Sequence, residues 1–460
     1  MRLGGIWDHV GFGFHRYSTD ARWLLPHFEK MLYDQALIAT AYLEAYQITK
    51  DPLFAATTDD IFTYVLRDMT AEQGAFYSAE DADSEGEEGK FYVWTTEEFR
   101  RVLGAEVATT WETILRLSPE GNFTDEATRQ KTGANILHLT APMQKWAEKL
   151  NLPEDQLGKD WVNIRDQLFR VREKRVHPLK DDKILTDWNG LMIAALALGA
   201  RILDRPEYET AARKAADFIL SKMRDKNGRL YHRFRDGELA VEAHAGDYAF
   251  LIHGLLSLYQ TTYDLVYAEE AKMLQEKMIE RFWDAENGGF FSTPNGSDEL
   301  PVRPKELYDG AIPSANSVAL FNLVFLSRLT GDPQWENRIQ AHIRAFAGTL
   351  KSQPQAFTYF LCALDFALRP GQEIIITGEP QATDTRQLLS ALNLNFTPNK
   401  VAIVKSGNNA ERLAKFAGYT DGLQVIEGQA TAHVCRNGAC TDSTTDTQTM
   451  VNKIIGKQGG

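Results

Sequence analysis

The chain has 460 residues and a formal net charge of −13 at pH 7, with 43% hydrophobic and 25% charged residues. This balance is ordinary for a globular protein, and the length exceeds one ordinary domain unless a barrel or toroid uses most of it. The acids are scattered and the sequence has no Lys/Arg cluster, so nucleic acid and anionic membranes are poor partners.

The sequence shows no targeting features. Its longest apolar run, LMIAALALGA (191–200), has about half the length that a bilayer span needs. The first residues, MRLGGIWDHV, lack the apolar core and the cleavage site of a secretory signal. Three cysteines in the chain suggest a reducing compartment. We therefore expect a cytoplasmic protein.

The first predicted element is a loop that recurs along the chain. A glycine precedes a short apolar or aromatic stretch in GFGFHRY (11–17), QGAFYSAED (73–81), TGANILHL (132–139), NGRLYHRF (227–234) and NGGFFSTP (287–294). These glycines stand at positions 13, 74, 133, 228 and 288, so the steps between them are 61, 59, 95 and 60 residues. Such spacing indicates repeated supersecondary units.

An apolar helix followed by an amphipathic helix recurs between these loops. The predicted pairs are 27–48 with 52–69, 186–203 with 206–223, 246–263 with 268–283, and 314–331 with 333–350, and a further buried helix is predicted at 355–368. A helix that is apolar all round must be enclosed, whereas its partner faces water on one side. The pattern predicts a mainly α fold in which two concentric helical layers close into an (α/α)6 toroid over residues 1–370. An open α-solenoid is the alternative, although it would expose its inner helices along a concave face.

The pattern changes after residue 370. EIIITG (373–378) and KVAIVKSG (400–407) are compact β-branched runs, each followed by a helical stretch. They predict a small α/β domain over residues 371–460. The first turn of this domain, ITGEPQAT, lacks the GxGxxG pattern, so we expect no nucleotide cofactor.

Two of the cysteines lie in the predicted hairpin VCRNGACT. If Asn437-Gly438 forms a type I′ turn, Cys435 and Cys440 face each other at a distance that permits a disulfide. The C-x4-C spacing is neither a redox C-x-x-C nor a zinc pattern, so a structural or incidental pair is favoured over a functional redox pair.

Acids near the starts of the predicted inner helices are the candidates for chemistry. These are Asp34, Asp187, Asp247 and Asp309, and the steps between the last three are 60 and 62 residues. A toroid would bring them to one funnel, although Asp34 falls inside its helix by the bounds given above. Helix capping alone is the alternative for any one of them.

Aromatic and amide residues flank these acids, namely Tyr33, Trp188, Asn189, Tyr248, Tyr308 and Asn316. Carboxylates accept hydrogen bonds from hydroxyl groups, and amides both accept and donate them. Aromatic rings stack on the C–H faces of sugars. The set therefore indicates a polyhydroxylated ligand. For any single aromatic residue, packing at the neck of a helix is the commoner role.

The acidic stretch YSAEDADSEGEEGKFYVW (77–94) belongs to the second repeated loop. It is not an EF-hand, because Tyr92 occupies the position where a bidentate Glu is required. By the repeat, Glu80, Asp81 and Asp83 overhang the funnel, and crowded carboxylates raise one another's pKa. A protonated rim acid would then act as general acid, with a funnel Asp as base or nucleophile. A metal site at 80–88 is a weaker possibility.

The first loop adds His15, Arg16 and His27, which either shuttle protons or form structural hydrogen bonds. The sequence has no serine nucleophile elbow, P-loop, HExxH or catalytic cysteine motif.

Four long motifs carry a family resemblance: GGIWDHVGFGFHRYSTDARWLLPHFEKMLYDQA, YSAEDADSEGEEGKFYVWT, ILTDWNGLMIAALA and TAHVCRNGACT. They resemble the thioredoxin-domain-containing family that includes the spermatogenesis-associated proteins. The resemblance implies a toroid of the six-hairpin glycosidase type, related in fold to N-acylglucosamine 2-epimerases and several glycoside hydrolases. Family members carry a preceding thioredoxin-like domain with C-x-x-C, whereas this chain starts at MRLGGIWD without that motif, so the family's redox role does not transfer.

The leading hypothesis is a carbohydrate-active protein that hydrolyses or isomerises a small saccharide, with Asp83, Asp187 and Asp247 as acid/base residues and with no metal or cofactor. The residues expected to bind the substrate are His15, Arg16, His27, Tyr33, Asp34, Glu80, Asp81, Trp94, Trp188, Asn189, Tyr248, Asp309 and Asn316. The alternative is a non-catalytic binding or scaffold protein.

Overall fold

The contacts between residues divide the chain into two units. The computed structural model describes residues 1–124, 131–296, 302–436 and 439–455. Unit 1 comprises residues 1–35, 56–71 and 77–182, and unit 2 comprises 36–55, 72–76 and 183–460.

Unit 1 combines very short strands with helices. In chain order its elements are β1 (Tyr17–Ser18), β2 (Pro26–His27), β3 (Lys30–Met31), the start of α1 (Leu32–Thr49), most of α2 (Pro52–Asp68), β4 (Ala79–Glu80), β5 (Asp83–Ser84), β6 (Glu87–Glu88), β7 (Trp94–Thr95), α3 (Thr96–Leu103), α4 (Ala105–Ile114), β8 (Ala134–Asn135), α5 (Met143–Leu150), α6 (Glu154–Arg172) and β9 (Lys180–Asp181). The rest of α1 and α2 belongs to unit 2.

A buried ionic group holds the first loop of unit 1. The Asp8 carboxylate accepts hydrogen bonds from Lys30 Nζ at 2.7 Å and from the Arg172 guanidinium at 2.7 and 2.9 Å. Burial alone would raise the pKa of Asp8, but Arg172 and Lys30 hold it well below its usual range. Removing one partner would leave an uncompensated buried charge, so the three residues act together.

The acidic stretch is partly built into a sheet. β4 pairs with both β3 and β9, and β5 pairs with β6. Glu80, at the end of β4, is buried and accepts a hydrogen bond of 2.6 Å from Tyr64 Oη. This stretch is therefore more than a solvated loop.

Unit 2 contains the paired helices and a C-terminal sheet. Its elements are β10 (Ile184–Leu185), α7 (Thr186–Leu203), α8 (Pro206–Lys222), β11 (Tyr231–Arg235), β12 (Glu238–Glu242), α9 (Ala245–Thr262), α10 (Leu265–Phe282), α11 (Ala315–Thr330), α12 (Gln334–Ser352), α13 (Thr358–Leu368), β13 (Gln372–Thr377), α14 (Thr383–Leu394), β14 (Lys400–Lys405), α15 (Ala410–Phe416), β15 (Thr431–Arg436), β16 (Ala439–Thr444) and α16 (Thr447–Ile455).

The predicted helical pairs are confirmed to within a few residues at most ends. α7, α9 and α11 are buried along most of their length, and α7 packs on α9, α9 on α11, and α11 on α13. The fold is thus mainly α, built from consecutive helical hairpins, with a smaller α/β part at the C-terminus. Closure of the hairpins into a ring, and a domain boundary at residue 370, stay predictions.

The predicted start of α1 and the predicted position of Asp309 need correction. α1 begins at Leu32 rather than at 27, because β2 and β3 occupy the preceding residues, and Asp34 therefore lies in the first turn. Asp309 was expected inside the first turn of an inner helix, yet α11 begins only at Ala315 after its N-cap Ser314. Ser314 caps α11 itself, since its hydroxyl accepts the Ser317 N–H at 3.1 Å.

The repeated loops share a backbone conformation and a hydrogen-bonding device. All five repeat glycines have positive φ, with values of 81°, 94°, 77°, 77° and 75° in chain order. In three repeats a side-chain amide near a helix start hydrogen-bonds both the N–H and the C=O of the loop phenylalanine: Gln35 with Phe14, Asn189 with Phe76, and Asn316 with Phe290. The repeat read from the sequence is thus a structural repeat.

The C-terminal sheet has the strand order β14-β13-β15-β16. β13 is parallel to β14 and antiparallel to β15, and β15 pairs with β16 so that Cys435 lies opposite Cys440. A disulfide joins these cysteines, as the hairpin pattern permitted. The predicted type I′ turn at Asn437-Gly438 lies outside the described residues. In the parts of the chain that the structure describes, no helix combines the length and apolarity that a bilayer crossing needs.

Two glycines let α7 and α9 approach closely. A Cβ added at Gly190 would lie 2.5 Å from the backbone C and O of Phe250. A Cβ added at Gly254 would lie 2.6 Å from the backbone O of Gly190. Contacts below 3 Å with backbone atoms cannot be relieved by a side-chain rotation. The approach of these two helices therefore requires glycine at both positions.

We expect Gly190→Ala to destabilise unit 2 by about 1–3 kcal/mol, because the added methyl group forces α7 and α9 apart. The measurement is the midpoint of urea unfolding followed by circular dichroism. Gly348→Ala in α12 is the matched control, since a Cβ there meets nothing within 4 Å, and we expect it to stabilise by up to about 1 kcal/mol. Equal midpoints for Gly190→Ala and the wild-type chain would contradict the close-approach interpretation.

Candidate acid–base site

Two of the predicted acids meet at the starts of neighbouring helices. Asp187 is the second residue of α7 and Asp247 the third residue of α9. The backbone N–H of Asp187 donates to Asp247 Oδ1 at 3.2 Å, and the backbone N–H of His244 donates to Asp247 Oδ2 at 2.8 Å. The Asp247 carboxylate thus satisfies N–H groups at the N-terminal ends of both helices.

A histidine from the adjacent hairpin completes the group. His232 lies on β11, which pairs with β10 immediately before α7. Its Nδ1 is 2.8 Å from Asp247 Oδ1. Because a carboxylate oxygen can only accept, Nδ1 carries the hydrogen and Nε2 is the nitrogen that can exchange a proton.

Burial differs sharply across this group. The Asp247 side chain is 1% exposed and the His232 side chain 25% exposed. Asp187 and Trp188 are half-buried, and His244 is exposed. Solvent and ligands therefore reach the group from the side of Asp187 and His232, while Asp247 lies behind them.

The electrostatics raise the pKa values of both proton-exchanging groups. Burial, and then the charge of Asp247, raise the pKa of Asp187 to about 7, while His232 opposes this rise. The hydrogen bond to Asp247 raises the pKa of His232, although its partial burial opposes that rise. A carboxyl group at a helix N-terminus would ordinarily have a lowered pKa, so burial outweighs the helix dipole at Asp187.

The same three side chains have donor atoms of metal-binding type. One such atom from each of Asp187, His232 and Asp247 lies within 4.8 Å of the others, a spacing that a divalent cation can bridge. A cation there would compete with the His232–Asp247 hydrogen bond and with the proton on Asp187. Within the described residues, the carboxylates of 80–88 do not gather into a group of this kind.

Several residues predicted to bind substrate instead hold the backbone. The amides of Asn189 and Asn316 are buried and are used by the loop phenylalanines. The hydroxyl of Tyr248, also buried, accepts the N–H of Leu230 at 3.1 Å. Asp309 accepts the N–H groups of Tyr359 and Phe360 at 2.8 and 3.1 Å, which caps α13.

The predicted residues of unit 1 fall into a buried set and a surface set. His15 is buried with Nδ1 2.9 Å from the Phe28 carbonyl, and burial lowers its pKa to about 3. Trp94 is fully buried, with the Arg175 guanidinium 4.2 Å from its ring. Together with Glu80, described above, these side chains form part of the interior of unit 1.

The surface set of unit 1 is charged. Arg16 pairs with Glu29 at 2.8 Å, and His27 Nδ1 lies 2.7 Å from Glu88. Burial raises the pKa of Asp34 to about 7 against the attraction of Arg16.

Tyr33 is buried next to Asp34 in the chain. Asp81 and Asp83 are exposed, and the Asp83 N–H donates to Asp81 Oδ1 at 3.3 Å. Asp83 belongs to unit 1 and Asp187 to unit 2, and their action on one substrate stays a prediction.

The sequence interpretation missed His232, which the structure places at the centre of the group. It lies four residues after the repeat glycine Gly228, in the stretch NGRLYHRF. The polar residue that follows each aromatic loop was a usable signal, because these loops adjoin the helix starts that carry the acids.

Comparison with known proteins supports the family resemblance. The chain is 36% identical over 473 aligned residues to human spermatogenesis-associated protein 20, covering 97% of this chain and 60% of that protein. The rat protein of the same name is 34% identical over the same extents, and an uncharacterised Caenorhabditis elegans protein is 30% identical over 87% of this chain and 58% of its own. No protein-family profile matches the chain.

The chain is therefore a homologue of spermatogenesis-associated protein 20, which confirms the resemblance shown by its motifs. It spans about 60% of the length of the curated mammalian relatives that it matches.

Solved structures with a weaker likeness include enzymes that are named for sugars. They include a D-mannose isomerase, with 12% identity, a TM-score of 0.38 and coverage of 73% of this chain and 80% of that chain. A cellobiose 2-epimerase from Spirochaeta thermophila has 11% identity, a TM-score of 0.40 and coverage of 75% and 80%. Likeness at this level assigns no chemistry to this chain.

We expect Asp247→Asn to lower the pKa of His232 towards its ordinary value, because the hydrogen bond to the Asp247 carboxylate is the largest cause of its rise. The measurement is an NMR titration of the His232 ring proton. Asp236→Asn, an exposed carboxylate at the β11–β12 turn where φ is 51° and Asn is well tolerated, is the control. An unchanged His232 pKa in Asp247→Asn would contradict the assigned hydrogen bond.

We also expect Asp187 to make stability depend on pH. Its pKa in the folded chain is raised from 3.8 to about 7. The contribution of Asp187 to the free energy of unfolding is therefore greatest below pH 3.8 and is lost as the pH rises through about 7. The Asp187→Asn variant does not lose stability in this way. The Tm of the variant minus the Tm of the wild-type chain should therefore be larger at pH 8 than at pH 6. A relative Tm that does not change between these pH values would show that Asp187 titrates normally.

Proposed function

We propose that unit 2 carries an acid–base site that transfers protons to and from a small saccharide. Asp187 and His232 are the two exchanging groups, and Asp247 positions both of them. The observation that carries this proposal is the shared carboxylate of Asp247, 3.2 Å from the backbone N of Asp187 and 2.8 Å from His232 Nδ1, behind two groups whose pKa values are raised. A general acid or base works best when its pKa lies near the working pH.

Asp247 is a positioning residue rather than a nucleophile. Both of its oxygens already accept hydrogen bonds, from the backbone N–H of Asp187, from His232 and from the backbone N–H of His244. Its side chain is 1% exposed, so a substrate carbon cannot approach it. This arrangement leaves Asp187 and His232 as the groups that touch substrate.

The short spacing argues against hydrolysis by the Asp187–Asp247 pair. Inverting glycosidases place their two carboxyl groups about 6.5–9.5 Å apart to admit a water, and retaining ones about 5–5.5 Å apart on either side of the bond. Here the donor atoms of the two acids lie within 4.8 Å of each other, and the Asp247 side chain is 1% exposed. Hydrolysis would require another carboxylate, whereas isomerisation or epimerisation requires one acid and one base.

The proposed step balances without a cofactor. His232 Nε2 accepts the proton from the carbon next to the sugar carbonyl, while the Asp187 carboxylic acid donates a proton to the carbonyl oxygen, which forms an enediol. Return of a proton to carbon and loss of the hydroxyl proton give the isomer or epimer. Trp188, half-buried beside Asp187, is the aromatic residue that we propose to contact the sugar C–H groups.

The test is deuterium exchange at the carbon next to the sugar carbonyl, which is C2 of an aldose and C1 of fructose, followed by NMR in D₂O at millimolar sugar. The panel contains glucose, mannose, fructose and cellobiose. We expect exchange by the wild-type chain and a loss of about 10²–10⁴-fold in Asp187→Asn, the range that one general acid or base contributes. Asp236→Asn, on the same hairpin as His232, should exchange at the wild-type rate.

The pH dependence of the deuterium exchange rate is an independent test of the same step. The step requires protonated Asp187 and neutral His232, so exchange should fall as the pH rises through about 7 and should fall again below the pKa of His232, which the hydrogen bond to Asp247 raises. Failure of the wild-type chain to exchange any sugar of the panel would refute the proposal. A sugar-dependent rise in Tm without exchange would instead identify a non-catalytic binding protein.

A further inference from the structure

A second set of polar side chains in unit 2 lacks side-chain partners. It consists of Glu44 on α1, Arg201 on α7, His253 on α9 and Tyr359 on α13, all half-buried. Among the described residues, these four side chains form no hydrogen bond or ion pair with any side chain. The one bond that any of them makes is from Arg201 Nη1 to the Ser257 carbonyl at 3.3 Å.

These side chains lie near one another. The His253 ring centroid is 5.3 Å from that of Phe321 and 6.5 Å from that of Tyr359. Burial raises the pKa of Glu44, and the positive charge of Arg201 opposes this rise. Burial, and then Arg201, lower the pKa of His253 to about 4, so its ring is neutral at pH 7.

The absence of side-chain partners distinguishes these four side chains from other polar groups of unit 2. Elsewhere in unit 2 the amides of Asn189 and Asn316 use their hydrogen-bonding capacity on the backbone. Polar groups taken from water without partners cost free energy, so folded chains pair nearly all of them with protein, water or ligand. His253 Nδ1 is a buried atom without a partner. This set is therefore positioned to bind something other than the protein itself.

We infer that Glu44, Arg201, His253 and Tyr359 form a subsite for the hydroxyl groups of a non-reacting sugar unit. The guanidinium donates, the carboxylate accepts, and the imidazole and the phenol each do both, which matches vicinal hydroxyls. An ionised phosphate oxygen only accepts hydrogen bonds, so a phosphate would pair with Arg201 but not with Glu44, and an apolar ligand would pair with none of these groups. The Phe321 ring beside His253 supplies the apolar face that a sugar ring stacks on.

The position of the subsite sets the substrate class. Along the helices, at 1.5 Å per residue, Arg201 lies about 21 Å from Asp187 on α7 and His253 about 9 Å from Asp247 on α9, so the smaller offset is about 9 Å. This offset exceeds the span of one sugar ring, so the substrate contains at least two sugar units. The inference rests on the proposed function, since it extends the ligand of the Asp187–His232 site.

Cys362 provides a readout that is independent of turnover. It is an exposed free thiol on α13, one turn after Tyr359, and the other two cysteines of the chain form a disulfide. Burial and then the charge of Glu44 raise its pKa. A sugar bound at the subsite would cover this thiol and slow its alkylation.

The experiment measures iodoacetamide alkylation of Cys362 by mass spectrometry, without reductant, in the Asp187→Asn background, which prevents turnover. The probes are cellobiose and cellotriose, with glucose for comparison. At ten times its Kd, a bound probe should slow alkylation about tenfold by mass action. Adding Glu44→Gln or Tyr359→Phe should abolish this protection, whereas Glu411→Gln, which removes a surface carboxylate of α15, should retain it.

For each variant, the alkylation rate of Cys362 without sugar is the reference rate. The same rate also serves as the control for folding. Glu44→Gln should alkylate faster without sugar, because the charge that raises the thiol pKa is gone. Protection that survives both Glu44→Gln and Tyr359→Phe would overturn the subsite, as would the absence of protection by every probe. Sugar exchange by the wild-type chain without protection of Cys362 would overturn the subsite alone. Protection without exchange would refute the acid–base proposal and support the subsite.

Discussion

A single buried carboxylate, that of Asp247, joins the N-terminal ends of two helices. It accepts the N–H of Asp187 from α7 and that of His244 at the start of α9, and it holds His232 from the neighbouring hairpin. The same interaction that caps the helices also creates the electrostatic environment of Asp187. Capping and chemistry are therefore not alternative explanations for Asp247, because its capping role places the two proton-exchanging groups.

The close packing of α7 on α9 makes this interaction possible. A carboxylate side chain is short, so its oxygen reaches the next helix only when the two backbones nearly touch. Gly190 and Gly254 provide that approach, since a Cβ at either position would overlap backbone atoms. Side-chain amides such as that of Asn189 then fix the adjacent loops against the helix starts. Stability and site geometry thus depend on the same few small residues.

The polar side chains of unit 2 fall into two groups, those that hydrogen-bond to the backbone and those that lack side-chain partners. Asn189, Asn316 and Asp309 were plausible sugar ligands from sequence, yet their oxygens and nitrogens hold loop and helix backbone. No sequence pattern indicated Glu44 or His253, yet both side chains are half-buried without side-chain partners. Chemical type alone does not distinguish the two roles, because both use the same functional groups. The two roles are distinguished only by the hydrogen-bond partners that each side chain has in the folded structure.

The sequence by itself determined the helical hairpins, the repeat glycines, the family resemblance and the facing positions of Cys435 and Cys440, because each depends on local periodicity or on long specific motifs. The spacing of Asp187 and Asp247 also indicated that they meet. Tertiary structure alone decided that Asp247 is buried, that His232 joins the group and that Asp309 caps a distant helix. Burial and hydrogen-bond partners arise between segments far apart in the chain, and no local pattern encodes them.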